Sequence, residues 1–152
     1  METKGKTKLL LIDDDPDFVE AYKRYLAGFF DVQSALDGDS GLRMISERRP
    51  EAVLLDLRMP RVSGVEVLET MQKRPDLRAI PVIVLTGQHL DEKTRRELGA
   101  MANVCQALEK SAPPAQVCTE AERAALLGEL YRETPELRLA VAPGGGKHLS
   151  AA

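Results

Sequence analysis

Tryptophan is absent from this chain of 152 residues, and it holds only three tyrosines, three phenylalanines, two cysteines and two histidines. Cys105 and Cys118 lack metal-ligand spacing and are too few for a disulfide framework, so reduced thiols are the expectation. Neither His89 nor His148 has a neighbour that suggests catalysis, and both read as solvated residues. There is no excess of positive charge: 21 Lys and Arg stand against 24 Asp and Glu, a net charge of -3. A nucleic-acid partner therefore has no electrostatic footprint. No apolar run approaches the roughly 20 residues of a membrane span. The polar start "METKGKTK" runs straight into a strand pattern, without a signal peptide. A cytoplasmic protein with neither nucleic acid nor membrane as partner is expected.

What is present is a core and a large amount of charge. Hydrophobic residues make up 43% of the chain and charged residues 30%. Short apolar runs alternate with helical periodicity. "KLLLI" (8–12), "DVQSAL" (31–36), "AVLLDL" (52–57) and "IPVIVLT" (80–86) read as strands, and a fifth short strand falls within 103–109. The continuous β-branched run at 80–86 is expected to be central and parallel. Helices are expected between them. The first, with Pro16 in its first turn, carries Phe18, Tyr22, Tyr25 and Phe29 at offsets of one helix face and stops near Gly28. The second runs from about Ser40 to Arg48 with Leu42 and Ile45 inward. The third is marked by Val65, Leu68 and Met71. The fourth, about 90–98, is polar except at Leu90, Leu98 and the Thr94 methyl. The last opens at Pro113 and Pro114 and reaches about Tyr131, with Val117, Ala121, Ala125 and Leu127 apolar and Gly128 weakening its end. Five strands alternating with five helices predict an α/β fold, a doubly wound five-stranded parallel sheet with helices on both faces. The domain is expected to span 1–132. From 133 to 152 the glycine run and small residues read as a flexible tail. There are no internal repeats.

The acids carry the chemistry. "LLLIDDDPDF" (9–18) sets Asp13, Asp14 and Asp15 in a row at the end of a buried strand, where like charges raise one another's pKa. One of the three is expected to cap the following helix, Asp15 before the others. In a doubly wound sheet, sites form outside the carboxyl ends of the strands. That edge is where Asp13 and Asp14 leave the first strand, Asp56 the third and Thr86 the fourth, and where Lys110 follows the fifth. The bland alternatives are caps and turn residues for the acids, a strand end for Thr86 and a surface lysine for Lys110. An acid inside "VLLDL" fits a cap poorly. Carboxylate oxygens suit Mg²⁺, and a carboxylate can attack a phosphoryl group. Such a transfer needs cations and donors around the moving oxygens.

Together, "LLLIDDDP", "AVLLDLRMPRVSG", "IPVIVLTG" and "LEKS", spread over about 8–131, resemble the receiver domain of bacterial response regulators. The resemblance implies a flavodoxin-like fold and a single-domain phosphorylation-dependent signalling switch. It implies Asp56 as phospho-acceptor, and Mg²⁺ held by Asp13, Asp14, Asp56 and the backbone carbonyl of Arg58. Thr86 would hydrogen-bond the phosphate, Lys110 would pair with it, and Gly87 would leave it room. The donor would be a sensor histidine kinase or phosphotransfer protein. Too little chain follows Tyr131 for a DNA-binding domain, so output to a downstream protein target is expected, through the polar helix, fifth strand and last helix. The chain would not be an enzyme with a substrate of its own. It departs from the family at Ala107, where an aromatic is usual, and at Ser111, where proline is common. The missing aromatic favours an alternative, a phosphate-independent (pseudo-receiver) interaction module on the same fold. A phosphatase with an aspartyl nucleophile generally needs an acid at position 58, which here is Arg. Arg58 could instead set the lifetime of the phosphate.

Overall fold

Leucine-rich and β-branched runs form the strands, and caps and prolines start the helices between them. The computed structural model describes residues 5–134 and 136. In chain order they form β1 (Lys8–Ile12), α1 (Pro16–Leu26), β2 (Asp31–Ala35), α2 (Gly38–Arg48), β3 (Ala52–Leu55), α3 (Gly64–Lys73), β4 (Val82–Thr86), α4 (Glu92–Gly99), β5 (Val104–Glu109) and α5 (Pro114–Glu133). The strands make one parallel sheet in the order β2-β1-β3-β4-β5. This is the doubly wound arrangement that the alternation of elements predicts.

Successive residues of a strand point to opposite faces. Leu10 and Ile12 pack with Val53, Leu55, Val82 and Val84 against the layer of α2, α3 and α4. Leu9 and Leu11 pack with Leu54, Ile83 and Leu85 against α1 and α5. Burial on both faces explains why β3 and β4 are uninterrupted apolar runs. β2 lies at the edge and is mostly half-buried, which explains its weaker pattern.

Several local expectations need correction. The buried residues of α1 are Val19, Tyr22 and Leu26, whereas Tyr25 and Phe29 are 41% and 53% exposed. The aromatic stripe is thus split: Tyr22 is in the core with Phe18 packed against that core, while the Tyr25 and Phe29 end stands outside. In α3, Val67 takes the core place assigned to Val65, which is exposed. In α5, Ala124 and Tyr131 are buried, while Leu127 is only half-buried. Gly128, expected to weaken the end of α5, is buried within it, and the helix runs on to Glu133. A Cβ there would sit 2.4 Å from the Glu51 carbonyl oxygen, so glycine lets the helix lie against the start of β3. β5 carries one extra residue between Val104 and Gln106, which pair with Val82 and Ile83. That bulge absorbs part of the long stretch before Lys110. Glu133 is still helical, and the remainder of the expected tail falls outside the described residues except Thr134 and Glu136.

Among the described residues Cys105 and Cys118 are not joined in a disulfide. Among the described residues no helix is long and apolar enough to cross a membrane. The polar run on α4 is a wet face, with Arg96 to Glu92 and Lys93 to Glu97 pairs of helical spacing. Asp15 caps α1, its carboxylate accepting from the N–H groups of Asp17 (3.0 Å) and Phe18 (3.3 Å). Asp15→Ala is expected to cost about 1 kcal/mol, read as a lower urea midpoint. Only the backbone N–H of Asp15 touches the acidic cluster described next, so metal affinity should hold.

Candidate functional site

The sheet itself aligns the site. Asp13 follows β1 and donates its N–H to the Ala35 carbonyl at the end of β2 (3.1 Å). Asp56 follows β3 and donates its N–H to the Ile12 carbonyl at the end of β1 (3.0 Å). Both side chains are pinned at the carboxyl edge and buried, 1% and 5% exposed, while Asp14 beside them is exposed. One carboxylate oxygen each from Asp13, Asp14 and Asp56 lies within 4.8 Å of the others. Lys110 follows β5, and its N–H donates to the Thr86 carbonyl (2.7 Å), so strand pairing sets the lysine beside the end of β4. Its ammonium reaches back to Asp13 Oδ2 at 2.7 Å and to Asp56 Oδ2 at 3.6 Å.

The electrostatics are those of a charged group under stress. Burial pushes the Asp13 carboxyl above the usual carboxylate range, and the Asp56 charge adds to that. Contact with Lys110 and the hydrogen bond from the Asp15 N–H to Asp13 Oδ1 (2.9 Å) offset only part of it. For Lys110, burial disfavours the charge, but Asp13 and Asp56 outweigh burial and hold the ammonium above its ordinary value. Asp13 Oδ2 is buried, and the Lys110 ammonium at 2.7 Å is its close partner.

Thr86 ends β4, wholly buried, and its hydroxyl accepts the Gln88 N–H at 3.2 Å. The Arg58 N–H faces Asp56 Oδ1 at 3.4 Å, a weak contact, and its side chain is exposed. A Cβ at Gly87 would meet only Lys110 Cδ, at 3.7 Å, so the space beside Thr86 is open. Ala107 is buried in β5, and Arg95 of α4 reaches over to its carbonyl (3.5 Å) and to Glu109 (4.0 Å). His89 also lies near Glu109, at 3.5 Å. The place of an aromatic beside β5 is thus bordered by polar side chains. Two residues of this neighbourhood were missed by sequence reasoning: Phe18, whose ring lies under the Lys110 ammonium, and Gly64, which touches the Asp56 backbone. The proximity of Phe18 in α1 to a lysine that follows β5 has no local signal.

Residues 9–122 match the family model for the response regulator receiver domain. The chain belongs to this family. Among curated relatives of this receiver domain, it is 35% identical over 103 residues to a "Probable cyclic di-GMP phosphodiesterase" of Vibrio cholerae, covering 66% of this chain and 23% of that protein. It is 35% identical over 104 residues to the response regulator MprA of Mycobacterium sp. (strain KMS), covering 68% of this chain and 44% of the relative. The chain thus spans less than half the length of these relatives. Among solved structures, the adenylate cyclase of Rhodopirellula baltica superposes with a TM-score of 0.76 at 26% identity, over 87% of this chain and 96% of that one. The receiver domain of Francisella response regulator 1452 gives 0.70 at 22%, over 82% and 98%, a likeness of fold.

Receiver domains serve phosphorylation-based signalling, exchange phosphoryl groups with histidine kinases or phosphotransfer proteins, and bind Mg²⁺ in an acidic pocket. The side chains of this receiver fit such an ion: three hard carboxylate ligands converge, with one oxygen of each within 4.8 Å of the others.

Proposed function

We propose that this receiver is a phosphorylation-dependent switch in which Asp56 accepts a phosphoryl group from a sensor histidine kinase or phosphotransfer protein and changes contacts with a downstream protein. The observation that carries this reading is the convergence of Asp13, Asp14 and Asp56 with the Lys110 ammonium between two of them. An Asp56 oxygen would attack phosphorus while the donor's phosphorus–nitrogen bond breaks and the electron pair leaves on the imidazole. Lys110 would move from Asp13 towards the new phosphoryl oxygens and offset their charge. The Thr86 hydroxyl would donate to one of them. Mg²⁺ would be held by Asp13, Asp14, Asp56 and the Arg58 carbonyl, supplying charge neutralisation for the transferring group. The protein would act in the cytoplasm, catalyse only its own phosphotransfer and hydrolysis, and need neither nucleic acid nor membrane. Ala107 favours one rival, a phosphate-independent interaction module.

The test is acetyl phosphate with and without Mg²⁺, followed by borohydride, which reduces an aspartyl phosphate to an alcohol. Mass spectrometry should place one reduced residue at position 56, only with Mg²⁺, and amide NMR should show shifts at Thr86 and Lys110. No label and no shift would leave the interaction module as the reading. Arg58 gives a smaller prediction: its exposed cation beside Asp56 can steer the water that removes the phosphate. Arg58→Ala is expected to change the dephosphorylation rate by about 2- to 5-fold, an effect near 1 kcal/mol or less. An unchanged decay of the phosphorylated species removes that role.

A further inference from the structure

We propose that Phe18 is a positioning residue for Lys110, holding the ammonium over the two buried carboxylates by a cation–π contact; this rests on the reading of Asp56 as phospho-acceptor. The Lys110 Nζ lies 4.1 Å from the centroid of the Phe18 ring, within the range of such contacts. The same nitrogen is 2.7 Å from Asp13 Oδ2 and 3.6 Å from Asp56 Oδ2. Two anions and one ring face therefore surround it.

The ring is itself fixed. Phe18 lies in the first turn of α1, where Asp15 caps its N–H at 3.3 Å. Its ring packs on buried Tyr22 at a centroid distance of 4.6 Å, and Tyr22 in turn meets Tyr25 at 6.5 Å. A lysine side chain is flexible and gains entropy by leaving for solvent. Here the ring face attracts the ammonium against the pull of bulk water without adding a formal charge, although the side chain stays 22% exposed. A third carboxylate would compete with phosphoryl oxygens for the ammonium, whereas a ring face attracts it far less. Lys110 can therefore shift between Asp13 and a phosphorylated Asp56 while remaining in the site. An aliphatic side chain would fill the same space but lacks the negative ring face.

The experiment compares wild type, Phe18→Leu and Phe18→Tyr in two readouts. In metal-free protein, NMR of the Lys110 εCH₂ protons should show an upfield ring-current shift that is lost in Phe18→Leu and kept in Phe18→Tyr. With Mg²⁺ and acetyl phosphate, the saturating phosphorylation rate of Phe18→Leu should fall about 3- to 10-fold. Its half-saturating donor concentration should stay within about twofold of wild type, since the ring acts on the transfer step and not on donor binding. Phe18→Tyr should restore the rate. If wild type is phosphorylated and Phe18→Leu matches it, or if Phe18→Tyr is as slow as Phe18→Leu, the inference is wrong and the proposed function stands. A wild type that takes up no phosphoryl group overturns both.

Discussion

Asp13→Asn is expected to melt above wild type in metal-free buffer at neutral pH, and to lose Mg²⁺ and phosphoryl uptake together. The Asp13 carboxyl is held above the ordinary carboxylate range, chiefly by burial. Between the unfolded value near 3.8 and that raised value, the folded protein binds more protons at this site than the unfolded chain does. Stability from Asp13 is therefore complete in acid, below the unfolded value, and is lost as pH rises through the folded value. At neutral pH the ionised carboxylate is a net cost that the Lys110 contact does not cancel. Asparagine removes the charge. Its side-chain oxygen can still accept the Asp15 N–H now bound to Asp13 Oδ1. Lys110, losing its nearer partner, keeps Asp56 at 3.6 Å. The gain should be about 0.5–2 kcal/mol, the size usual for relieving a strained functional site. At this chain length that is a rise of about 2–8 °C.

Mg²⁺ reverses the comparison. Wild type should gain stability with the ion by mass action. The variant, lacking one ligand, should bind it at least about tenfold more weakly. Thermal melts from pH 4 to pH 8, each with and without Mg²⁺, would read both effects, with the metal-free advantage of the variant growing as pH rises above the unfolded value near 3.8. A variant that melts below wild type at pH 8 without metal would mean that the pairing of Asp13 with Lys110 outweighs burial, and the electrostatic account would be wrong.

The fold is legible in the sequence where burial leaves no choice. β1, β3 and β4 are covered on both faces, so their residues have to be apolar and the runs stand out. Helix faces are less legible, because side-chain size and hydrophobicity point different ways. In α1 the aromatics are the most conspicuous apolar residues, yet Val19 and Leu26 take the core and Tyr25 and Phe29 stay outside. In α3 the two valines on either side of Glu66, Val65 and Val67, cannot be told apart without the angle at which the helix meets the sheet.

For the site, topology did most of the work. Once strand order is known, the carboxyl ends of β1, β3 and β5 must carry Asp13, Asp56 and Lys110 to one edge. What topology does not give is approach distance. The ring of Phe18 under Lys110 and the backbone contact of Gly64 depend on how closely α1 and α3 sit on that edge. Charge patterning reveals convergence, whereas close packing of an aromatic or a glycine leaves no periodic trace.

Gly64→Ala should therefore be the most damaging single methyl group near the site. Gly64 opens α3 directly after its cap, Ser63, whose side chain and that of Glu66 form a reciprocal capping box. Its N–H donates to the Leu57 carbonyl at 2.9 Å, which ties the helix start to the loop carrying Asp56. A Cβ at this position would lie 2.1 Å from the Asp56 carbonyl oxygen, 2.7 Å from Leu57 Cα and 2.9 Å from the Asp56 carbonyl carbon. All three are backbone atoms, so no flexible side chain can turn away. Either α3 slides off its cap or the Asp56 backbone moves. Alanine would otherwise favour the helix by up to about 1 kcal/mol, so a net loss measures the clash. Overpacking of this kind costs about 3 kcal/mol, a fall in Tm of roughly 10 °C. Because the displaced atoms belong to Asp56 itself, phosphoryl uptake should also drop at temperatures where the variant remains folded. Gly87→Ala is the control: its Cβ meets only Lys110 Cδ at 3.7 Å, an ordinary contact. Its stability should stay within about 0.5 kcal/mol of wild type. A Gly64→Ala protein that melts with wild type would show that the loop carrying Asp56 yields easily, and the rigid presentation of the Asp56 side chain would have to come from the strand pairing alone.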